Sequence, residues 1–114
     1  MALKKITLTK EHKEFAEVVA QGLKSKYCGE ANAVSNSQIC KSLKSNGISM
    51  TPETFRKIIF YLRKAGNPIC SNSKGYYWAA NKREIEECAE ALKERINAQI
   101  ETYKSLIKTI ENVP

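Results

Sequence analysis

The chain has 114 residues, is 42% hydrophobic and carries a formal net charge of +7, enough for one domain with a real core and too little for two comfortable ones. The basic balance points to nucleic acid, an anionic membrane face or an acidic protein as partner. A membrane span is excluded on pattern, because no run approaches the roughly 20 consecutive apolar residues it needs.

The first predicted helix runs from about Thr9, a plausible N-cap, to Lys26. Phe15, Ala16, Val19 and Leu23 form its apolar face, and Cys28-Gly29 ends it. The second begins at Ser35. Ser35 and Gln38 have capping-box spacing, Val34 and Ile39 occupy the hydrophobic-staple positions, and Asn46-Gly47 closes the helix. The third begins at Thr51 with Pro52 at the first helical position, where a missing N–H costs nothing. Phe55, Ile58, Ile59 and Leu62 make its inner face, and Gly66 stops it. The short connection between helices two and three is that of a helix-turn-helix.

Next comes "PICSNSKGYYW". A turn over Asn72–Gly75 would pair Ser71 with Tyr76, Cys70 with Tyr77 and Ile69 with Trp78. Strand alternation puts Ile69 and Trp78 on one face, expected inward, and Cys70 and Tyr77 on the other. A lone hairpin is barely stable in water, so it needs packing or a third strand, and Ala33-Val34 offers a short one. Tyr76 and Trp78 are expected to pack in the core rather than stack on bases.

The fourth helix starts at Asn81, with Glu84 three residues on, and runs to about Glu111. Its apolar positions are Ile85, Ala89, Leu92, Ile96, Ile100, Tyr103, Ile107 and Ile110, two heptad-like blocks joined by a stutter. Such a helix is about 45 Å long, whereas a body of about 80 residues is only some 30 Å across. Ile85 to Leu92 are therefore expected to reach the body. Ile96, Ile100, Tyr103, Ile107 and Ile110 are expected to overhang it and join a second copy, the stutter marking the change. Residues 1–80 would form the domain and 81–114 a dimerisation element.

The charge is concentrated. Residues 35–82 carry Lys41, Lys44, Arg56, Lys57, Arg63, Lys64, Lys74 and Lys82 against Glu53 alone. Residues 1–34 are mildly basic and residues 83–114 net acidic. A basic middle with an acidic tail is the pattern of a localised electrostatic footprint.

The order helix, short strand, helix, turn, helix, hairpin, carried by Ser35, Ile39 and Leu43, then Gly47-Ile48 and Thr51, then "FRKIIFYLRKAGNPI" and "SKGYYW", resembles the winged helix-turn-helix domains of bacterial and phage regulators and replication organisers. The resemblance covers residues 33–82. It implies a mostly α fold with a small β-hairpin wing, double-stranded DNA as partner, and helix three as the recognition helix. Glu53, Arg56, Lys57, Phe60 and Lys64 lie opposite the inner face of that helix. In a major groove Arg or Lys reads guanine and Glu accepts from cytosine. Thr51, Glu53, Arg56, Lys57 and Lys64, with Asn72, Ser73 and Lys74 at the wing tip, are the candidate DNA contacts, Lys74 neutralising phosphate. Phe60 and Tyr61 are bulky for such a surface. Either one packs against the wing or helix four, or the surface serves a protein, and a winged helix used only for protein–protein contact is the alternative function.

Catalysis has little support. There is one histidine, no aspartate, no glycine-rich phosphate loop and no nucleophile motif. His12, beside Lys10, Glu11 and Lys13, is expected to be solvated. Cys28, Cys40, Cys70 and Cys88 have no CxxC spacing, so neither a metal nor a cofactor is expected. Cys40 and Cys88 fall on apolar helical stripes and read as buried, reduced thiols. The N-terminus "MALKKITLTK" has no apolar core of leader length, and with the thiols this points to the cytoplasm.

Overall fold

The computed structural model describes residues 9–114. The N-terminal stretch weighed above as a leader lies, but for its last two residues, outside the described residues. The chain is mostly α, with one two-stranded antiparallel hairpin and a long C-terminal helix. The order is α1 (Lys10–Lys26), a 3-10 turn (Glu30–Asn32), α2 (Asn36–Ser45), α3 (Pro52–Lys64), β1 (Ile69–Asn72), β2 (Gly75–Trp78) and α4 (Lys82–Asn112).

Capping chemistry sets the helix starts. The side-chain oxygens of Thr9, Ser35, Thr51 and Asn81 each accept the backbone N–H three residues on, at 3.0–3.2 Å. Each bond satisfies one of the orphan donors at a helix start. Gly47 and Gly66, just beyond α2 and α3, have φ of 82° and 96°, the left-handed conformation that ends a helix at little cost when no Cβ is present.

Each helix buries one face. Ala16, Val19 and Leu23 of α1, Ile39 and Leu43 of α2 and Phe55, Ile58, Ile59 and Leu62 of α3 form one core with Val34 and Ile69. Phe55, Leu23 and Ile58 are fully inaccessible. His12 is half-buried rather than solvated.

The hairpin pairs Ile69 with Trp78, Cys70 with Tyr77, Ser71 with Tyr76 and Asn72 with Gly75, the register read from the sequence. Both of its faces are covered, which the alternation argument alone does not give. Ile69, Tyr76 and Trp78 pack on the three-helix core, where the Tyr76 ring meets Phe55 edge-on with centroids 5.5 Å apart. The face assigned outward is the more deeply buried. Cys70 and Tyr77 join Ala79, Ala33 and Cys88 in a second small core beneath α4, whereas Trp78 is only half-buried.

The third-strand contribution is present and comes in two pieces. Val34 N–H and C=O both bond Tyr76 at 2.8 Å. On the same side of β2, Gly29 N–H donates to Trp78 O and Trp78 N–H to Tyr27 O, each at 2.8 Å. This close approach explains Gly75. Its φ is 139°, and a Cβ there would overlap the Val34 carbonyl and come within 2.7 Å of the Ser35 nitrogen.

The 31-residue α4 is about 46 Å long, and the molecule extends 55 × 33 × 23 Å. The helix does overhang, and its attachment differs from expectation. Ile85 and Leu92 do not reach the body; they stay 42% and 49% exposed. Glu84 and Cys88 make the contact instead. The Glu84 carboxylate accepts Ala80 N–H at 2.8 Å and Glu30 N–H at 3.0 Å. These bonds hold its pKa below the usual carboxylate value, Ala80 contributing most. They also fix the rotation of the helix. At about 100° per residue the Ile85–Ile110 stripe lies roughly a quarter turn from the Glu84/Cys88 face. The stutter therefore marks no handover from body to partner, because the stripe is exposed before it as well as after it.

Candidate nucleic-acid interface

The outward side of α3 is built by its own periodicity. Steps of four, three and four bring Glu53, Lys57, Phe60 and Lys64 into one row opposite the buried Phe55, Ile58, Ile59 and Leu62. Arg56 flanks the row, and all five side chains are exposed. No ion pair among the described residues involves Glu53, Arg56, Lys57 or Lys64. The three ion pairs, Lys82–Glu86, Arg83–Glu87 and Lys104–Glu101, all lie on α4. The charges on α3 are thus directed at solvent.

Two of the candidate contacts have local duties. The Thr51 hydroxyl caps α3 and meets the Thr54 hydroxyl at 3.1 Å. The Asn72 side-chain oxygen accepts the N–H groups of Lys74, at 2.8 Å, and Gly75, at 3.2 Å, while its NH₂ donates to Glu30 O. This is the Asx-type turn that asparagine favours, and it fixes the hairpin tip. Ser73 and Lys74 are exposed there.

Arg63 matters in a way the sequence did not announce. Its Nε donates to Ile69 O at 2.8 Å and its guanidinium lies 6.0 Å from the Tyr76 ring centroid. It ties the last turn of α3 to the hairpin, so the exposed row and the hairpin belong to one unit. Composition counts Arg63 as one more charge, and no local spacing flags a bond from a helix end to a strand six residues on.

Phe60 and Tyr61 belong to neither of the two cores. They are 46% and 38% exposed, and the Lys64 ammonium sits 5.6 Å from the Phe60 ring centroid, within cation–π reach. On α4 the stripe residues Ile96, Ile100, Tyr103, Ile107 and Ile110 are all exposed. Leu106, absent from the stripe as read, is exposed beside them and widens the apolar face to about 120° in the last turns.

The side of the hairpin facing α4 has the opposite polarity. The open groove there is lined by Glu30, Glu87 and Glu94 with Arg95. The thiols also sit differently from expectation. Cys70 is the buried one, Cys40 and Cys88 are half-buried, Cys28 is exposed, and all four are free. Burial, then the neighbouring Cys88, pushes the Cys70 thiol up to about 12. Burial likewise raises the Tyr77 phenol to about 12. Both groups are neutral at physiological pH, as a packed core requires. Among the described residues no group of three or more His, Cys or Glu side chains could hold a metal ion, and no helix is long and apolar enough to cross a membrane.

No family model, curated protein or solved structure matches this chain.

Proposed function

We propose that the chain is a winged-helix protein that binds double-stranded DNA without catalysing a reaction, as a transcriptional regulator or replication organiser in the cytoplasm. The observation that carries this reading is the outward row of α3. Lys57 and Lys64, with Arg56 beside them, are exposed and engaged in no ion pair, and they lie on a helix braced against the hairpin by Arg63. The major groove admits an α-helix. With α3 in it, Arg56 and Glu53 face base edges, Lys57 and Lys64 face phosphates, and Lys74 and Ser73 reach the backbone from the hairpin tip.

The chain works as a homodimer through α4. The exposed stripe from Ile85 to Ile110 is a larger apolar surface than a monomer ordinarily keeps in water. A two-fold pair also suits DNA with two half-sites. A gel-shift with random duplex DNA at two salt concentrations tests the binding, which should weaken steeply as salt rises. Sedimentation at tens of micromolar tests the dimer. Absence of any shift at low salt would leave the basic surface to an acidic protein.

A further inference from the structure

We infer that Phe60 reads the 5-methyl group of thymine in the major groove, giving α3 an apolar specificity contact among its charges. The inference rests on the proposed DNA binding and adds to it the kind of base pair preferred. Phe60 is the one apolar side chain in the outermost row of α3, between Lys57 and Lys64. A core role is ruled out by its 46% exposure on the face opposite Phe55 and Ile59. From Glu53 to Lys64 the row is about 16 Å long, and the major groove is about 12 Å wide. A helix laid along that groove turns this outermost row to the base edges, from which the long stems of Lys57 and Lys64 carry their ammonium groups out to phosphates. Phe60 has no such reach, and its ring stays at the base edges.

The surroundings favour DNA over an apolar protein partner. Lys64 holds its ammonium 5.6 Å from the ring centroid, and Arg56 and Lys57 are exposed nearby. An apolar ring flanked by three cations suits a ligand that puts a methyl group close to phosphates. At base edges in the major groove only thymine offers a methyl, and phenylalanine is among the side chains that meet it.

The test uses paired duplexes that differ only in that methyl. Binding of the full chain is measured by fluorescence anisotropy on alternating poly(dA–dT) and poly(dA–dU), and on poly(dG–dC) and its 5-methylcytosine counterpart. The wild-type chain should bind the methylated member of each pair about three- to five-fold more tightly, the gain expected from burying one methyl-sized group. Phe60→Ala should bind both members equally, with an unchanged slope of log affinity against log salt, since it removes no phosphate contact. Because Phe60 is exposed, the variant should keep its melting temperature, and Phe60→Leu should keep part of the preference. Equal wild-type affinity within both pairs, or a preference that survives in Phe60→Ala, would overturn the inference while leaving DNA binding intact. Failure to bind any of the four duplexes at low salt would remove the DNA reading and this inference with it.

Discussion

The hairpin and the far half of α4 handle apolar surface in opposite ways. The hairpin has two strands of four residues, too little to hold alone in water. It is stabilised by burial on both faces and by backbone bonds to Val34, Tyr27 and Gly29 along the free side of β2. From Ala89 to the C-terminus every residue of α4 is exposed, several large isoleucines included. Most helical stability in proteins comes from packing of an apolar face. The hairpin finds its packing within the chain, whereas the helix tail packs on nothing in its own chain and would find it in the second copy proposed above. A substitution in the first region should be read as stability, and one in the second as association.

The largest effects should come from the buried side. Phe55→Ala should cost about 3–5 kcal/mol in a denaturant titration, the range for a core aromatic. Tyr77→Ala should approach that range, and Trp78→Ala should fall below it at about 2 kcal/mol, since Trp78 is only half-buried. A larger loss for Trp78 than for Tyr77 would mean that α4 does not cover the hairpin as described. Gly75→Ala should cost roughly 2 kcal/mol or more, because a side chain there meets the Val34 carbonyl at an unfavourable φ.

On the exposed side, Ile100→Glu combined with Ile107→Glu should change the stability of the isolated protomer by no more than about 0.5 kcal/mol. The same pair should convert the sedimenting species to a monomer that binds DNA more weakly. Cooperative unfolding of the double variant at room temperature would show that the tail packs on its own chain.

The joint between the two regions is sensitive to acid. Glu84 has its folded pKa depressed, chiefly by the Ala80 N–H. Its contribution is therefore present above the unfolded carboxylate pKa and lost as pH falls through the folded value. The stability difference between the wild type and Glu84→Gln should be constant from neutral pH down to roughly pH 4–5 and shrink below it. A difference independent of pH would mean that the carboxylate does not clasp Ala80 and Glu30.

The fold was legible in the sequence to the extent that it was written in local chemistry. Thr9, Ser35, Thr51 and Asn81 announce helix starts, Gly47 and Gly66 announce ends, and the Asn72–Gly75 turn fixes the hairpin register. What stayed hidden depends on contacts between distant segments. The rotation of α4 is set by Glu84 reaching Glu30, and an apolar stripe is the wrong guide when two N–H groups capture a carboxylate on another face. For the same reason the hairpin face assigned to solvent is buried. Of the candidate interface, the row on α3 follows from periodicity. The bond from the Asn72 amide to Glu30 O and the Arg63 brace do not, since each bonds a backbone group that the fold, and no local pattern, brings near.

DNA binding through α3 and the hairpin tip is tested most directly by salt. The affinity of the wild type for a duplex should be measured across a range of salt concentrations beside the double variant Lys57→Ala with Lys74→Ala. Each lost phosphate contact should take about 0.9 from the slope of log affinity against log salt, so the double variant should be shallower by about 1.8. An unchanged slope in a folded double variant would contradict a phosphate role for both lysines and, with it, the placement of DNA on this face.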